Sequence, residues 1–309
     1  MNFVHKSVLL NESVNWIVGD PSGIYVDCTL GGAGHSHAIA ERLQPDGLLI
    51  GIDQDEDAIA AATERLKDVP CRVKIVHDNF RNLGAILDGM GIAEADGIFF
   101  DLGVSSYQLD TPERGFSYMQ DGPLDMRMNQ EAKLTAADVV NHYKEDDLAD
   151  VIYKYGEERW SRRIAQFIVA ARKKKPLTRT SELVSVIKAA IPKGAREGGP
   201  HPAKRTFQAI RIEVNDELKI LDSTMETAVH HLKKGGRIGV ITFHSLEDRI
   251  IKQSFKRMAR GCICPPELPV CVCGHKPELK KQKEFVPTEE ELAENPRARS
   301  ARLRGAQKI

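Results

Sequence analysis

Ile24-Tyr-Val-Asp-Cys-Thr-Leu-Gly-Gly-Ala-Gly-His-Ser36, followed after a helical interval by Leu48-Leu-Ile-Gly-Ile-Asp-Gln-Asp-Glu-Asp57, is the stretch from which the fold is read. Residues 24–29 set apolar positions around Asp27 and are β-branched enough for a strand, which Gly31, Gly32 and Gly34 break at once. Three glycines in four positions leave bare main chain that a ligand can approach. Residues 35–43 have helical spacing, so the turn feeds a helix, and residues 47–53 form a second buried strand. That strand ends at Asp53, 19 residues beyond Gly34, where a carboxylate can accept hydrogen bonds from both hydroxyls of a ribose. Strand, glycine turn, helix, strand and acid in this order predict a βαβ unit carrying a nucleotide-type cofactor. The bland reading is a glycine-rich turn beside a solvated aspartate.

The turn also bears on which cofactor. A dinucleotide fingerprint places a third glycine shortly after the second, with pyrophosphate at the helix N-terminus; here those places hold Ser36 and His37. An acid inside the first strand just before the glycines, Asp27, instead resembles the S-adenosylmethionine loop of Rossmann-like methyltransferases. A carboxylate attracts a sulfonium and an α-ammonium group and repels a pyrophosphate. An NAD-dependent oxidoreductase is the competing enzyme reading, and the same two features argue against it.

With 309 residues the chain can hold one large or two modest domains. Its formal net charge is zero, but residues 1–158 carry 12 Lys/Arg against 28 Asp/Glu, residues 159–211 carry 14 against 2, and residues 212–309 carry 18 against 14. A segment of +12 within 53 residues is the electrostatic footprint of a polyanionic partner; solvated helix faces are the alternative. No apolar run approaches the ~20 residues of a membrane span, and residues 1–12 contain no signal-peptide core. A cytoplasmic protein without a membrane partner is expected. Six cysteines, four of them within 262–273, do not suggest a disulfide framework in a chain this long.

Helical spacing continues over 55–66 and 83–90, and strand patterns over 72–77 and 97–102, the latter ending at Asp101. Phe80 follows the third strand, placed to stack on an adenine or to pack in the core. Ligands of doubly wound sheets bind outside the carboxyl ends of the strands, so Asp27, Asp53, Phe80 and Asp101 are expected at one crevice. Residues 102–128 are irregular and rich in unusual side chains, which is more often a sign of function than of filler. Residues 134–191 are helical with breaks near Pro176 and Pro192, and carry Arg172, Lys173 and Lys174 in the basic excess. The domain organisation that follows is 1–110 with 211–309 as the catalytic domain and 111–210 as a helical insertion. A helix over 201–218, a fifth strand over 235–243, a helix over 246–258 and closing strands over 283–286 and 301–304 complete the chain.

Eight short motifs stand in order: Gly34-His-Ser36, Asp53-Gln-Asp55, Asp101-Leu-Gly-Val-Ser-Ser106, Arg114-Gly-Phe-Ser117, Gly122-Pro-Leu-Asp-Met-Arg-Met128, His201-Pro202 with Arg205-Thr-Phe-Gln-Ala209, Phe243-His-Ser-Leu-Glu-Asp-Arg249 and Asn295-Pro-Arg-Ala-Arg-Ser300. With them the chain resembles, over nearly its whole length, the bacterial small-subunit (16S) ribosomal RNA cytidine N4-methyltransferases, the RsmH or MraW family. The resemblance implies a Rossmann-like class I methyltransferase α/β sheet with an inserted all-helical substrate-recognition domain. It implies methyl transfer from S-adenosyl-L-methionine to the exocyclic amine of a cytidine in the decoding region, on 16S ribosomal RNA or the small ribosomal subunit. The cofactor-binding positions it carries over are Ala33, Gly34, His35, Asp53, Phe80, Asp101 and Gln108. Ala33 stands where the family loop often has glycine, and the cysteine cluster has no counterpart in the family pattern. A homodimer is left open.

The N4 amine of cytosine is conjugated with its ring, so an acceptor must take a hydrogen bond from it before its lone pair can turn toward the methyl group. Amine-directed methyltransferases often carry an Asp/Asn-Pro-Pro-aromatic element after the fourth strand; here Asp101-Leu-Gly-Val replaces it. Asp101 is the candidate acceptor, and His244 a candidate for the released proton or a histidine that only bonds backbone. Tyr107 and Phe116 are candidates to stack on an unpaired or flipped base, and Arg205 and Arg249 to contact phosphate. Cys262, Cys264, Cys271 and Cys273 form two C-x-C pairs that zinc could tie together, or are four reduced thiols. A cofactor-free RNA-binding assembly factor would explain the basic helices but not the crevice acids. A DNA amine methyltransferase lacks its Pro-Pro-aromatic element here.

Overall fold

The computed structural model describes residues 7–196, 199–262, 264–265 and 267–309. Seven strands form one sheet: β1 (Ile24–Asp27), β2 (Leu48–Asp53), β3 (Arg72–His77), β4 (Ala95–Asp101), β5 (Leu232–Thr242), β6 (Lys283–Phe285) and β7 (Arg302–Gln307). Their order is β3-β2-β1-β4-β5-β7-β6, with β1 to β5 parallel and β7 antiparallel to both of its neighbours. Helices cover both faces, so the central strands are near-continuous apolar runs, and every residue from Leu48 to Ile52 is buried. The edge strand β3 exposes Arg72, Lys74 and His77, charged or polar positions that discourage further strand pairing.

Alternation along the strands sorts side chains to two layers. Val26, Ile50, Phe100 and Val240 pack with Leu83 and Leu87 of the helix Leu83–Gly89, Met225 of Leu221–His230 and Phe255 of Ser245–Met258. Tyr25, Leu49, Phe99 and Ile241 pack on the other face with Ile17 of the helix Leu10–Ile17, Ile39 of Gly34–Ala40 and Ala62 of Glu56–Arg65. Helix and strand boundaries differ from the expected ones by a few residues. The fifth strand starts at Leu232 because its Lys-Lys-Gly-Gly segment stays in the sheet, opposite a register shift between Ala95 and Gly97.

The chain divides into a sheet unit, Met1–Gly103 with Leu218–Ile309, and a helical unit, Val104–Glu217. The helical unit therefore begins earlier and ends later than the 111–210 expected, because Val104 and Leu109 pack on its core and Val214, in the helix Lys204–Asn215, is buried there. Its core joins Val139, Val140, Leu148, Ile152, Ile164, Ile168, Leu183, Ile187 and Phe207.

The irregular stretch expected to be functional is largely a folding element. The buried Arg114 donates to the carbonyls of Arg127 (2.9 Å) and Met128 (3.1 Å). Arg127 forms a two-point pair with Asp125 (2.9 and 2.7 Å), and Asn215 bonds the backbone of Met126 and Met128, both at 2.7 Å. Gly115 has φ +71°, and a Cβ there would lie 2.1 Å from the Pro123 oxygen. The Arg-Gly-Phe-Ser and Gly-Pro-Leu-Asp-Met-Arg-Met motifs thus close on each other.

In the sheet unit the buried Arg304 of β7 makes a bidentate pair with Asp248 of the helix Ser245–Met258, at 2.6 and 2.9 Å. Burial pushes the Asp248 carboxyl up, but Arg304 and Arg302 outweigh it and hold the group below its ordinary range. Removing one partner strands the other charge. Arg304→Met should cost about 3 kcal/mol in denaturant unfolding, and Arg304→Met/Asp248→Leu should recover most of that loss. An unchanged midpoint for the single variant would show that the pair carries no stability.

Candidate active site

Parallel pairing places three acids at neighbouring strand ends. Asp27 closes β1, Asp53 closes β2 and Asp101 closes β4, with Asp27 in register with Gly51 on one side and Phe99 on the other. The strand order reverses between β1 and β4, the place where a crevice opens at the carboxyl edge of such a sheet.

Each glycine of the turn after β1 has a different job. Gly31 takes φ +47° and donates its N–H to Asp53 Oδ2 at 2.7 Å, so Asp53 shapes the loop. A Cβ on Gly32 would meet nothing within 4 Å, which makes it the position with open space beside bare backbone. A Cβ on Gly34 would lie 1.9 Å from Ser7 Oγ, so this glycine admits a chain neighbour. Ala33, expected as a small departure, sits fully buried with φ +57°, a left-handed conformation that glycine adopts at less cost.

Asp27 is buried, and Asp53 and Asp101 are half-buried beside it. Asp27 Oδ2 accepts from Ser36 Oγ (2.7 Å) and Oδ1 from Thr29 N (3.1 Å), yet burial, helped by the Asp53 charge, lifts its carboxyl to about 6. Burial also raises Asp53, against hydrogen bonds from the Gly31 and Asp55 amides. Asp101 is pushed well above the carboxylate range by burial first and then by Asp27 and Glu247. Its N–H donates to Thr29 Oγ1 at 2.5 Å, and its Oδ1 is buried with no partner among the described residues. Its Oδ2 lies 3.4 Å from Nδ1 of the buried His35. His35 Nε2 faces the Val8 carbonyl at 2.9 Å, and since a carbonyl only accepts, Nε2 carries hydrogen. Hydrogen on Nε2 leaves Nδ1 as the ring nitrogen that faces Asp101 Oδ2.

Phe80 is half-buried at the start of the turn after β3, edge-on to Phe100 with ring centroids 5.7 Å apart. His244 caps the helix Ser245–Met258: Nδ1 accepts from Glu247 N at 3.4 Å, and Nε2 lies 3.0 Å from Glu247 Oε1, off hydrogen-bond alignment. This capping geometry agrees with the reading of His244 as a histidine that bonds backbone. Glu247, 2% exposed, is a site residue that sequence reasoning missed, although His-x-x-Glu ahead of a helix matches the spacing of a capping box. Arg249 is exposed on the same helix.

Within the helical unit, Gln108 is buried and its Oε1 accepts from Ser105 N at 3.0 Å, capping its own short helix. Tyr107 is 54% exposed and remains a stacking candidate, whereas Phe116 is 5% exposed in the core and is withdrawn as one. Arg172 is also corrected: its guanidinium donates to the carbonyls of Val140 (2.7 Å) and Tyr143 (2.6 Å), ending the helix Ala136–His142. Lys173 and Lys174 are exposed, while Arg205, also exposed, donates to the Glu157 carbonyl at 3.1 Å. A 530 Å³ groove in this unit, bordered by His142, Asp147, Asp150 and Lys154, mixes both charge signs and is assigned no role. The four cysteines lie in the sheet unit with their sulfurs within 4.8 Å of one another.

An acid whose folded pKa is raised stabilises the fold fully below its unfolded pKa and loses that contribution as pH climbs through the folded value. For Asp27 the window runs from 3.8 to about 6. Asp27→Asn should therefore stabilise the cofactor-free protein at pH 7 by on the order of 1–3 kcal/mol, with the gain fading toward pH 4. The same change should weaken binding of a cationic cofactor, measured by calorimetry. Loss of stability at pH 7 would overturn the assignment of Asp27 as a strained buried acid.

Relatives called ribosomal RNA small subunit methyltransferase H are 55% identical in Clostridioides difficile, over 311 residues, and 53% identical in Ruminiclostridium cellulolyticum, over 313 residues. A third, of the same name, from Clostridium botulinum is 55% identical over 312 residues, and in all three pairs 100% of both chains is covered. The family model described as the MraW methylase family matches residues 2–309. The chain belongs to the MraW methylase family.

Proposed function

We propose that the chain transfers the methyl group of S-adenosyl-L-methionine to the exocyclic N4 of a cytidine in the decoding region of 16S ribosomal RNA. The observation that carries this reading is the convergence of Asp27, Asp53 and Asp101 on adjacent strand ends, with Asp101 Oδ1 buried and unsatisfied. When bound, the cofactor supplies an electrophilic methyl on a sulfonium, a good leaving group.

The residues present fit that cofactor. Asp27 offers a buried negative charge to its cationic end, Asp53 offers carboxylate oxygens to the ribose hydroxyls, and the open side of Gly32 admits it against main chain. Phe80 has the place and partial exposure to border adenine. Ala33, Gly34 and His35 shape the loop, and Gln108 is carried over as a further contact. Burial first, and then the charges of Asp27 and Glu247, push the Asp101 carboxyl well above the carboxylate range, and a neighbouring cation would favour its ionised form. Ionised, Asp101 would accept a hydrogen bond from the N4 amine, turn the amine's lone pair toward the methyl, and take the proton that N4 gives up as the C–N bond forms and the S–C bond breaks, leaving a neutral thioether. Positioning and electrostatics then supply most of the rate.

The base would reach the site unpaired or flipped, and Tyr107, a stacking candidate from the sequence, is exposed. Exposed Arg162, Arg163, Lys173 and Lys174 at the helix Ser161–Arg172 and just beyond it suit phosphate contacts. The partner in this reading is the small ribosomal subunit or its RNA, in the cytoplasm.

The decisive test is transfer of labelled methyl to small subunits that lack the modification, followed by mass spectrometry of the digested RNA. Label is expected in N4-methylcytidine, and label in any other nucleoside overturns the substrate assignment. Asp101→Asn should lower turnover by about 10²–10⁴-fold. Wild-type turnover in that variant would remove Asp101 from the chemistry. Lys173→Gln/Lys174→Gln should weaken RNA binding, flatten its log–log salt slope by about 1.5 and leave cofactor affinity unchanged. Unaltered RNA affinity would move the contact surface elsewhere.

A further inference from the structure

The segment between the helix Ser245–Met258 and Leu279 has no visible means of support. Its base is pinched, with the amides of Glu278 and Leu279 both donating to the Met258 carbonyl at 2.8 and 3.3 Å, and Leu279 is buried beside the C-terminal strand. Between those ends, none of the described residues from 259 to 278 is buried. Among its described residues the large apolar side chains point outward: Leu268 is 46% exposed, Val270 70% and Val272 77%. Ordering one residue's backbone costs roughly 1–2 kcal/mol, and the described residues of this long loop bury no apolar side chain to offset that cost.

What the loop does gather inward is sulfur. Cys262 Sγ lies 3.4 Å from Cys271 Sγ and 3.8 Å from Cys273 Sγ, and Cys271 and Cys273 are 3.5 Å apart. All four sulfurs, that of Cys264 included, fall within 4.8 Å of one another. Sulfurs bound at about 2.3 Å around one tetrahedral ion are about 3.8 Å apart, and the observed separations match that edge. They are well beyond the about 2.05 Å of a disulfide bond. Backbone supports the sulfurs as it does at metal sites: the Val272 amide donates to Cys264 Sγ at 3.4 Å.

We infer that Cys262, Cys264, Cys271 and Cys273 bind one structural zinc ion, which serves as the core of the 259–278 loop. Four thiolates form a closed, redox-silent tetrahedral site with no open position for water, so the ion folds the loop and takes no part in methyl transfer. Binding releases the thiol protons to solvent and makes four Zn–S bonds. The inference stands on this cluster alone and is independent of the reaction proposed above.

The test uses the full chain, expressed with added zinc and purified in a reductant that does not chelate metal. Elemental analysis should find about one zinc per chain in the wild type and less than about a tenth of that in Cys264→Ser and Cys273→Ser. Replacement by cobalt should give the intense visible bands of a tetrahedral tetrathiolate. Stripping the metal should speed tryptic cleavage after Arg260 by about tenfold or more, because loop opening then has no metal bonds to break. Stoichiometric iron instead of zinc would overturn the choice of ion. A metal-free wild type with four titratable thiols would overturn the site itself, and neither result depends on whether the serine variants fold.

Discussion

Burial of like charges at the ends of neighbouring strands is the constraint on which the site depends. Parallel pairing of β1 with β2 and β4 leaves no freedom to separate Asp27, Asp53 and Asp101. Hydrogen bonds from Ser36, Thr29, Gly31 and Asp55 partly satisfy two of them, and His35 Nδ1 faces the third at 3.4 Å. Burial still wins, since Asp27 rises to about 6 despite its donors. Such a site stores unfavourable electrostatics that a cation relieves, and the free energy so released goes into binding. A neutral ligand would gain nothing from the arrangement, and an anion would be repelled.

The strands were the most legible part of the chain because hydrophobic period and strand-end acids are local signals. β3 has the bounds that its pattern predicts, Arg72–His77, and the order of strand, glycine turn and acid translates into the observed sheet order. The roles within the glycine turn were less legible. Gly34 is required by Ser7, far away in sequence, and only the geometry separates it from Gly32, which borders open space. The same holds for Glu247: its spacing from His244 announces a helix cap, but its influence on Asp101 comes from β4 and β5 lying side by side.

Misreadings share one physical cause. Arg172 looked like part of a phosphate-binding run, yet it serves backbone carbonyls 29 and 32 residues earlier. Phe116 and Arg114 sat in a stretch without period, and their motif is held by contacts to residues 122–128 and to Asn215. Composition counts a guanidinium as surface charge whether or not a helix end has claimed it. The +12 of residues 159–211 is therefore an upper limit on the charge offered to a polyanion. Lys175 is paired with Glu182 and Arg179 with Asp121. Exposed pairs of this kind are weak, so these cations remain partly available to phosphate, while Arg172 does not.

The two units consequently divide the work by the kind of interaction each can make rigid. The sheet unit fixes its polar groups from backbone: strand register places the acids, and the Arg304–Asp248 pair ties the helix after β5 to β7. Displacement of that helix would move His244 and Glu247 together, because both belong to its first turn. Glu247 in turn accepts from the amides of Phe243 and His244 with its second carboxylate oxygen, at 2.9 and 3.3 Å. Asp248 of the Arg304–Asp248 pair and Glu247, whose charge adds to the upward push on Asp101, thus sit on one helix. The antiparallel addition therefore anchors the helix that carries His244 and Glu247, a role beyond covering an edge.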